Sequence, residues 1–128
     1  MNDDIKFMCR IYGTSDVDWM GAKIVNNNLT RHHIVKKEDG GENGISNYAL
    51  LTPESHHLLN YLEDNYVSDF NEINELLLSL NRSIKPPTKE YYEEMNAILK
   101  RVRKKLKNER RGRRWKRDQL LTLYVQLY

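Results

Sequence analysis

The chain has 128 residues, 39% hydrophobic and 30% charged, which suits one core with an appendage. It has no run of about 18 apolar residues to cross a membrane and no basic-then-apolar secretion pattern at Met1–Lys6. A single cysteine, Cys9, excludes an internal disulfide. The expectation is a cytoplasmic protein with no membrane partner. The net charge of +3 is unevenly spread. Lys100 to Arg117 holds twelve Lys/Arg and one acid, Glu109. Nine bases and seventeen acids remain elsewhere, so the segment stands near +11 and the rest near −8. A segment that basic repels itself unless a polyanion is near, and the alternative is a solvated helix face.

In chain order, Phe7–Tyr12 and Ala22–Val25 read as short strands separated by a Gly13-Thr14-Ser15-Asp16 turn. Asn26-Asn27-Asn28 reads as a loop. Leu29–Lys36 has strand character, and the run Glu38–Gly44 is dense in turn formers. Ile45–Leu51 returns as a second strand. Thr52-Pro53-Glu54 is a helix start: Thr52 as N-cap, Pro53 in the first turn, Glu54 at the positive end of the dipole. That helix is expected to end near Asp64 or Asn65. A second is expected from Asp69 to about Asn81, capped by Ser68 or Asp69, with Phe70, Ile73, Leu76, Leu77 and Leu80 at helical spacing. After Pro86-Pro87, Thr88 caps a third helix with the apolar stripe Tyr91, Met95, Ile98, Val102 and Leu106. Gly112 is a candidate break. Trp115–Tyr128 forms a last short helix, either buried on the core or used as a dimer contact.

All four histidines lie within residues 30–60, as the pairs His32-His33 and His56-His57, with Gly40-Gly41 and Asn47 between them. Histidine is the usual base near neutral pH and a common metal ligand. Hydrolysis of a phosphodiester needs both: a base to deprotonate water and a cation to stabilise charge on the phosphate. Adjacent strand residues point to opposite faces, so one imidazole of a pair can hold a metal while its neighbour acts as base. A helix after the hairpin brings a further ligand, and His56 and Asn60 share a face of it. The residues therefore point to a metal-dependent enzyme. Adjacency alone does not say which of His32 and His33 faces the metal.

His-His-Ile, then Gly-Gly, then Asn-x-x-Leu-Leu-Thr-Pro-x-x-His resembles the HNH endonucleases, also called ββα-metal or His-Me finger nucleases. His33, Asn47 fourteen residues on and His56 nine beyond that match the family's order and spacing. The Thr-Pro-x-x-His helix start resembles that of the bacterial colicin DNases. The resemblance covers about residues 29–65 and implies an α+β fold, a ββα-metal finger with a C-terminal helical extension. The chain then divides into a nuclease core, 1–66, and an extension, 67–128, bearing the basic segment 100–117. By position, the resemblance makes His33 the general base, His32 and His56 metal ligands, and Asn47 the residue that pins the loop orienting the base. Asn60 falls where colicin-like members carry another histidine, and is either a weaker ligand or an ordinary helix polar residue. His57 matches no essential position. One divalent cation is implied, with Mg, Mn, Ni and Zn not distinguished, and the implied partner is DNA in a phage, mobile-element or defence context.

Many family members carry two Cys-x-x-Cys pairs that bind a structural zinc. Here the first falls on Cys9-Arg10-Ile11-Tyr12 and the second on Thr52-Pro53-Glu54-Ser55, so three of four thiolates are missing and no structural zinc is expected. Packing through Trp19, Tyr48 and the C-terminal helices must hold the core instead. Cys9 reads as a buried small hydrophobe. Candidate nucleic-acid contacts are Arg31, Lys36, Lys37, Lys104, Lys105, Arg110, Arg111, Arg113 and Arg114, each weighed against an ordinary surface cation. Trp115, set among four bases, either stacks on a base or docks on the core. Two rival readings stand beside a DNA endonuclease: a non-catalytic nucleic-acid-binding module on the same scaffold, and a nuclease acting on RNA. A single site of this kind cuts one strand at a time, so a double-strand break calls for a homodimer or two events.

Overall fold

Ile5, Met8 and Tyr12 recur at helical spacing, and the N-terminal segment is a helix, α1, Asp3–Tyr12, not the strand expected over Phe7–Tyr12. Asn2 caps it by accepting the Asp4 N–H at 2.7 Å, and Gly13 ends it in the left-handed region at φ 58°. The computed structural model describes residues 2–112, and within them four helices and one two-stranded antiparallel sheet form an α+β arrangement. The expected helix over Trp115–Tyr128, with Arg113 and Arg114, lies outside the described residues, as do the side chains of Arg110 and Arg111. None of the described helices is long and apolar enough to cross a membrane.

Residues 14–29 form an irregular loop. Ala22–Val25 is not a strand; a single bridge, Val17 to Lys23, is all the pairing there. The chain instead wraps around the carboxylate of Asp18, which is fully buried. Its Oδ1 accepts the N–H groups of Met20 and Ala22 at 2.8 and 2.9 Å. Its Oδ2 accepts the N–H and hydroxyl of Thr52 at 2.8 and 2.9 Å. Burial raises the Asp18 pKa, opposed by the donors at Thr52 and Ala22. Trp19, also fully buried, donates its backbone N–H to Leu50 O at 3.1 Å, and the Tyr91 hydroxyl donates to Trp19 O. One carboxylate thus joins the loop, the sheet and a helix start.

The hairpin has short arms. Strand β1 is Thr30–His33 and β2 is Tyr48–Leu51, paired so that His33 faces Tyr48 and Thr30 faces Leu51. The strands expected over Leu29–Lys36 and Ile45–Leu51 are shorter because the backbone turns inward at both inner ends. Lys37–Asp39 and Ile45–Asn47 form single 3-10 turns. Gly41 lies so close to the Val35 carbonyl that a Cβ would stand 1.8 Å from its oxygen, so only glycine fits.

Helix α2 is Pro53–Asn65, as expected, with Thr52 Oγ1 accepting the Ser55 N–H at 3.1 Å. Helix α3, Val67–Ser83, starts earlier than expected and has no side-chain cap. Asp69 is not its cap: the side chain is 2% exposed and takes Arg101 and Lys105 of the next helix. Helix α4, Lys89–Gly112, begins with the Tyr91 N–H on Thr88 Oγ1 at 3.1 Å and runs to Gly112, where the described residues end. Its stripe of Tyr91, Met95, Ile98, Val102 and Leu106 is buried throughout.

One apolar cluster takes Leu58, Leu59 and Leu62 from α2, Ile73 and Leu77 from α3, and Met95 and Val102 from α4. Tyr48 and Trp19 belong to it, as expected, while Cys9 is half-buried at its edge. Two asparagines seven residues apart on α3 tie that helix to the hairpin. Asn74 donates to Ile34 O at 2.7 Å, and Asn81 donates to Ile45 O and Tyr48 O at 2.8 Å each.

Asp18→Ala leaves four buried or half-buried donors without acceptors, so urea unfolding should show a loss of about 3 kcal/mol or more. A loss within about 0.5 kcal/mol, the range of an ordinary surface change, would show that Asp18 is not the junction described.

Candidate active site

Residues 30 and 32 share one face of β1, and residues 31 and 33 share the other. His32 faces inward and is 7% exposed, with its ring against His56 of α2. The two ring centres are 5.5 Å apart with planes at 79°. His32 Nε2 lies 2.9 Å from Asn74 Oδ1 on α3. His56 Nδ1 lies 2.9 Å from Thr30 Oγ1, whose hydroxyl donates to Leu51 O at 2.9 Å. Both imidazoles are therefore held by a polar partner on one nitrogen.

Burial lowers the pKa of His32 to about 4, with the Asn74 contact opposing and His56 adding to the shift. Burial also lowers the pKa of His56, and neighbouring His57 and His33 push the same way. Both rings are neutral at pH 7, the form that binds a cation. Two imidazoles on one tetrahedral ion, with nitrogens roughly 2.0–2.1 Å from it, have ring centres about 5 Å apart. The observed separation fits such a pair. Among the described residues no set of three His, Cys, Asp or Glu side chains converges on one point, so the pair would share an ion with non-protein oxygens.

His33 leans edge-on against Tyr48 at 5.2 Å and is half-buried. Its Nε2 lies 2.9 Å from Asn43 Oδ1. Although it stands on the other strand face, it is at the strand's end, and its charge is felt at both His32 and His56. Asn47 is buried and clamps the intervening loop. Its Oδ1 accepts the Val35 N–H at 2.8 Å, and its amide donates to Val35 O and Glu42 O at 2.8 and 3.0 Å. The loop that carries Asn43 to His33 is fixed by that amide. Asn60 follows His56 by one turn and is exposed, and His57 is exposed.

The cations divide into two groups. Arg31 lies over the Tyr48 ring at 5.0 Å and pairs loosely with Asp4 at 3.6 Å. Lys36 is bound at 2.5 Å by Glu63 of α2, whose charge also reaches His32. Lys105 faces Asp69 at 2.5 Å and sits 5.6 Å over the Tyr66 ring, so with Arg101 it is paired across to α3. Lys37 is exposed. Lys100, Lys104 and Lys107 are exposed along one face of α4, opposite its apolar stripe.

Four polar residues escaped the sequence reading. Thr30, two residues before His32, was legible as a same-face neighbour. Asn43 read only as a turn former. Glu63 lies seven residues after His56, which puts it on the same side of α2. Asn74 breaks the apolar pattern of α3, but nothing in sequence says what it meets 42 residues away.

His32 has its folded pKa below the ordinary 6.5, so its stabilising effect is complete above pH 6.5 and is lost as pH falls towards 4. Urea unfolding should show that His32 contributes roughly 3 kcal/mol of pH-dependent loss across this window. His32→Gln should flatten the profile, and a mutant profile parallel to wild type would refute the assignment.

Comparison with protein-family models, curated proteins and solved structures finds no match to the chain.

Proposed function

We propose that the protein is a metal-dependent endonuclease of the HNH type, a ββα-metal finger with a helical extension, hydrolysing phosphodiester bonds in DNA. The reading rests on one observation above the rest. His32 of β1 and His56 of α2 meet at 5.5 Å beside His33, at the spacing of the resemblance. The order β1, glycine-rich loop, β2, α2 supports it, and so does the Asn47 clamp on the loop behind His33.

In this reading His33 takes the proton from the attacking water, and Asn43 and Tyr48 hold its ring in place. His32 and His56 would hold a divalent cation, which would supply positive charge to the phosphate when bound. Asn47 keeps the loop geometry. Asn60 is exposed one turn along α2 from His56. Arg31 and Lys37 flank the strand end as phosphate contacts, and Lys36 joins them only by leaving Glu63. Lys100, Lys104 and Lys107 offer a row of charge for sequence-independent affinity.

One observation favours a second reading, a non-catalytic nucleic-acid-binding module: no third His, Cys, Asp or Glu joins the histidine pair among the described residues. Plasmid cleavage with Mg²⁺, Mn²⁺ or Ni²⁺ separates the two. His33→Ala should lower the cleavage rate by about 10²–10⁴-fold while DNA binding is retained. Equal behaviour of wild type and mutant under every metal sinks the nuclease reading. A single-stranded RNA cut faster than duplex DNA would move the substrate to RNA.

The charge row makes a separate forecast. The logarithm of DNA affinity should fall linearly with the logarithm of salt concentration, and Lys104→Gln with Lys107→Gln should reduce the slope by about 2. An unchanged slope would remove α4 from the interface.

A further inference from the structure

The proton on His32 and on His56 can be assigned from each ring's partner. Asn74 has two anchors. Its amide lies 2.7 Å from Ile34 O, and a carbonyl only accepts, so the Asn74 nitrogen must face it. The Asn74 oxygen therefore faces His32 Nε2 at 2.9 Å. An amide oxygen also only accepts, so His32 Nε2 carries the proton. In the neutral ring Nδ1 then holds the lone pair.

The same reasoning applies across the site. The Thr30 hydroxyl has one proton, which it donates to Leu51 O at 2.9 Å. Towards His56 Nδ1, also at 2.9 Å, it accepts. His56 is therefore the Nδ1–H tautomer, with its lone pair on Nε2. The two rings, 5.5 Å apart and nearly perpendicular, thus offer opposite nitrogens.

We propose that Asn74, a residue of α3 outside the hairpin–helix unit, is a positioning residue that locks His32 in the Nε2–H tautomer and reserves Nδ1 for a divalent cation. The cation half of this proposal rests on the nuclease reading; the tautomer half does not. The physical reason is the cost of the alternative. In the Nδ1–H tautomer a lone pair of the buried His32 ring would face the Asn74 oxygen, two acceptors with no proton between them. Rotating the Asn74 amide would relieve that contact only by turning its oxygen onto Ile34 O. One side chain therefore couples the backbone just after β1 to the proton on His32, and α3 becomes part of the site. Hydrogen bonds of this kind fix ring orientation and raise the basicity of the ligating nitrogen.

Two variants separate this role from simple bracing. Asn74→Asp keeps an oxygen for His32 Nε2–H but loses the donor to Ile34 O, whereas Asn74→Leu loses both. Long-range ¹H–¹⁵N correlation spectra of the metal-free protein report the protonated nitrogen of each histidine. Wild type and Asn74→Asp should both show His32 protonated at Nε2, and Asn74→Leu should show a tautomer mixture. Titration with Co²⁺, followed by its visible absorption, should give an affinity reduced by about 10–100-fold in Asn74→Leu and largely kept in Asn74→Asp. A wild-type tautomer and Co²⁺ affinity in Asn74→Leu overturns the proposal. So does a loss in Asn74→Asp as large as in Asn74→Leu, which would assign Asn74 to bracing Ile34 alone. A wild type that binds no Co²⁺ rejects the cation half together with the metal-dependent reading, while the spectra still decide the tautomer half.

Discussion

The buried carboxylate of Asp18 is the junction on which the arrangement depends. Four donors converge on it, two from its own loop and two from Thr52 at the start of α2. An isolated buried charge is costly, and this one is tolerated because every direction of its lone pairs is met. It also sits at the amino end of a helix, where the dipole favours a negative charge. Through Trp19 the same loop bonds the outer side of β2 and receives the Tyr91 hydroxyl from α4. A four-residue strand pair could not hold this register by its own ladder. Asp18 ties its outer edge to the helix that carries His56.

The opposite side of the hairpin is held by asparagines. Asn47 closes the loop from within, and Asn74 and Asn81 reach it from α3. Each satisfies backbone carbonyls that the short strands leave unpaired, at 2.7–2.8 Å. The helices after residue 66 are thus integral to the hairpin's geometry. The ion pairs of buried Asp69 with the partly exposed Arg101 and Lys105 do similar work between α3 and α4. They also engage Arg101 and Lys105 of the basic segment with α3, while Lys100, Lys104 and Lys107 are exposed on the face opposite the apolar stripe.

The histidine cluster inherits its chemistry from this framework. His32 is depressed by burial and kept neutral, and His56 is shifted the same way. His33, at the end of the strand on its other face, remains half-exposed beside Tyr48 and Asn43. A buried and a half-buried imidazole on one side of a strand end, with a half-buried one on the other, is an arrangement suited to dividing cation binding from proton transfer.

Local chemistry made part of this legible. Thr52-Pro53-Glu54 specifies a helix start through capping geometry that needs no distant partner, and α2 begins there. The α4 stripe is a periodicity, readable in one dimension, and it is buried as read. Strand alternation and helix spacing allowed a β1 histidine to meet His56 but left His32 and His33 open; the resemblance implied His32, and His32 is the one whose ring meets His56. Other features were settled only by the tertiary structure. Phe7–Tyr12 is too short for its pattern to decide between strand and helix, and Ile5 and Met8 packing on the core decided for helix α1. Asp69, a good cap by type, became a buried ion-pair partner because α4 brings Arg101 and Lys105 across 32 and 36 residues. Asp18, Asn43 and Asn74 carry no local signal of their roles, because a polar side chain's use depends on which unpaired group the folded chain sets 3 Å away. Sequence determined the start of α2, the buried stripe of α4 and the histidine set; the fold decided the remaining elements and which nitrogens, carboxylates and amides meet, since hydrogen bonds select partners by position and not by proximity in the chain.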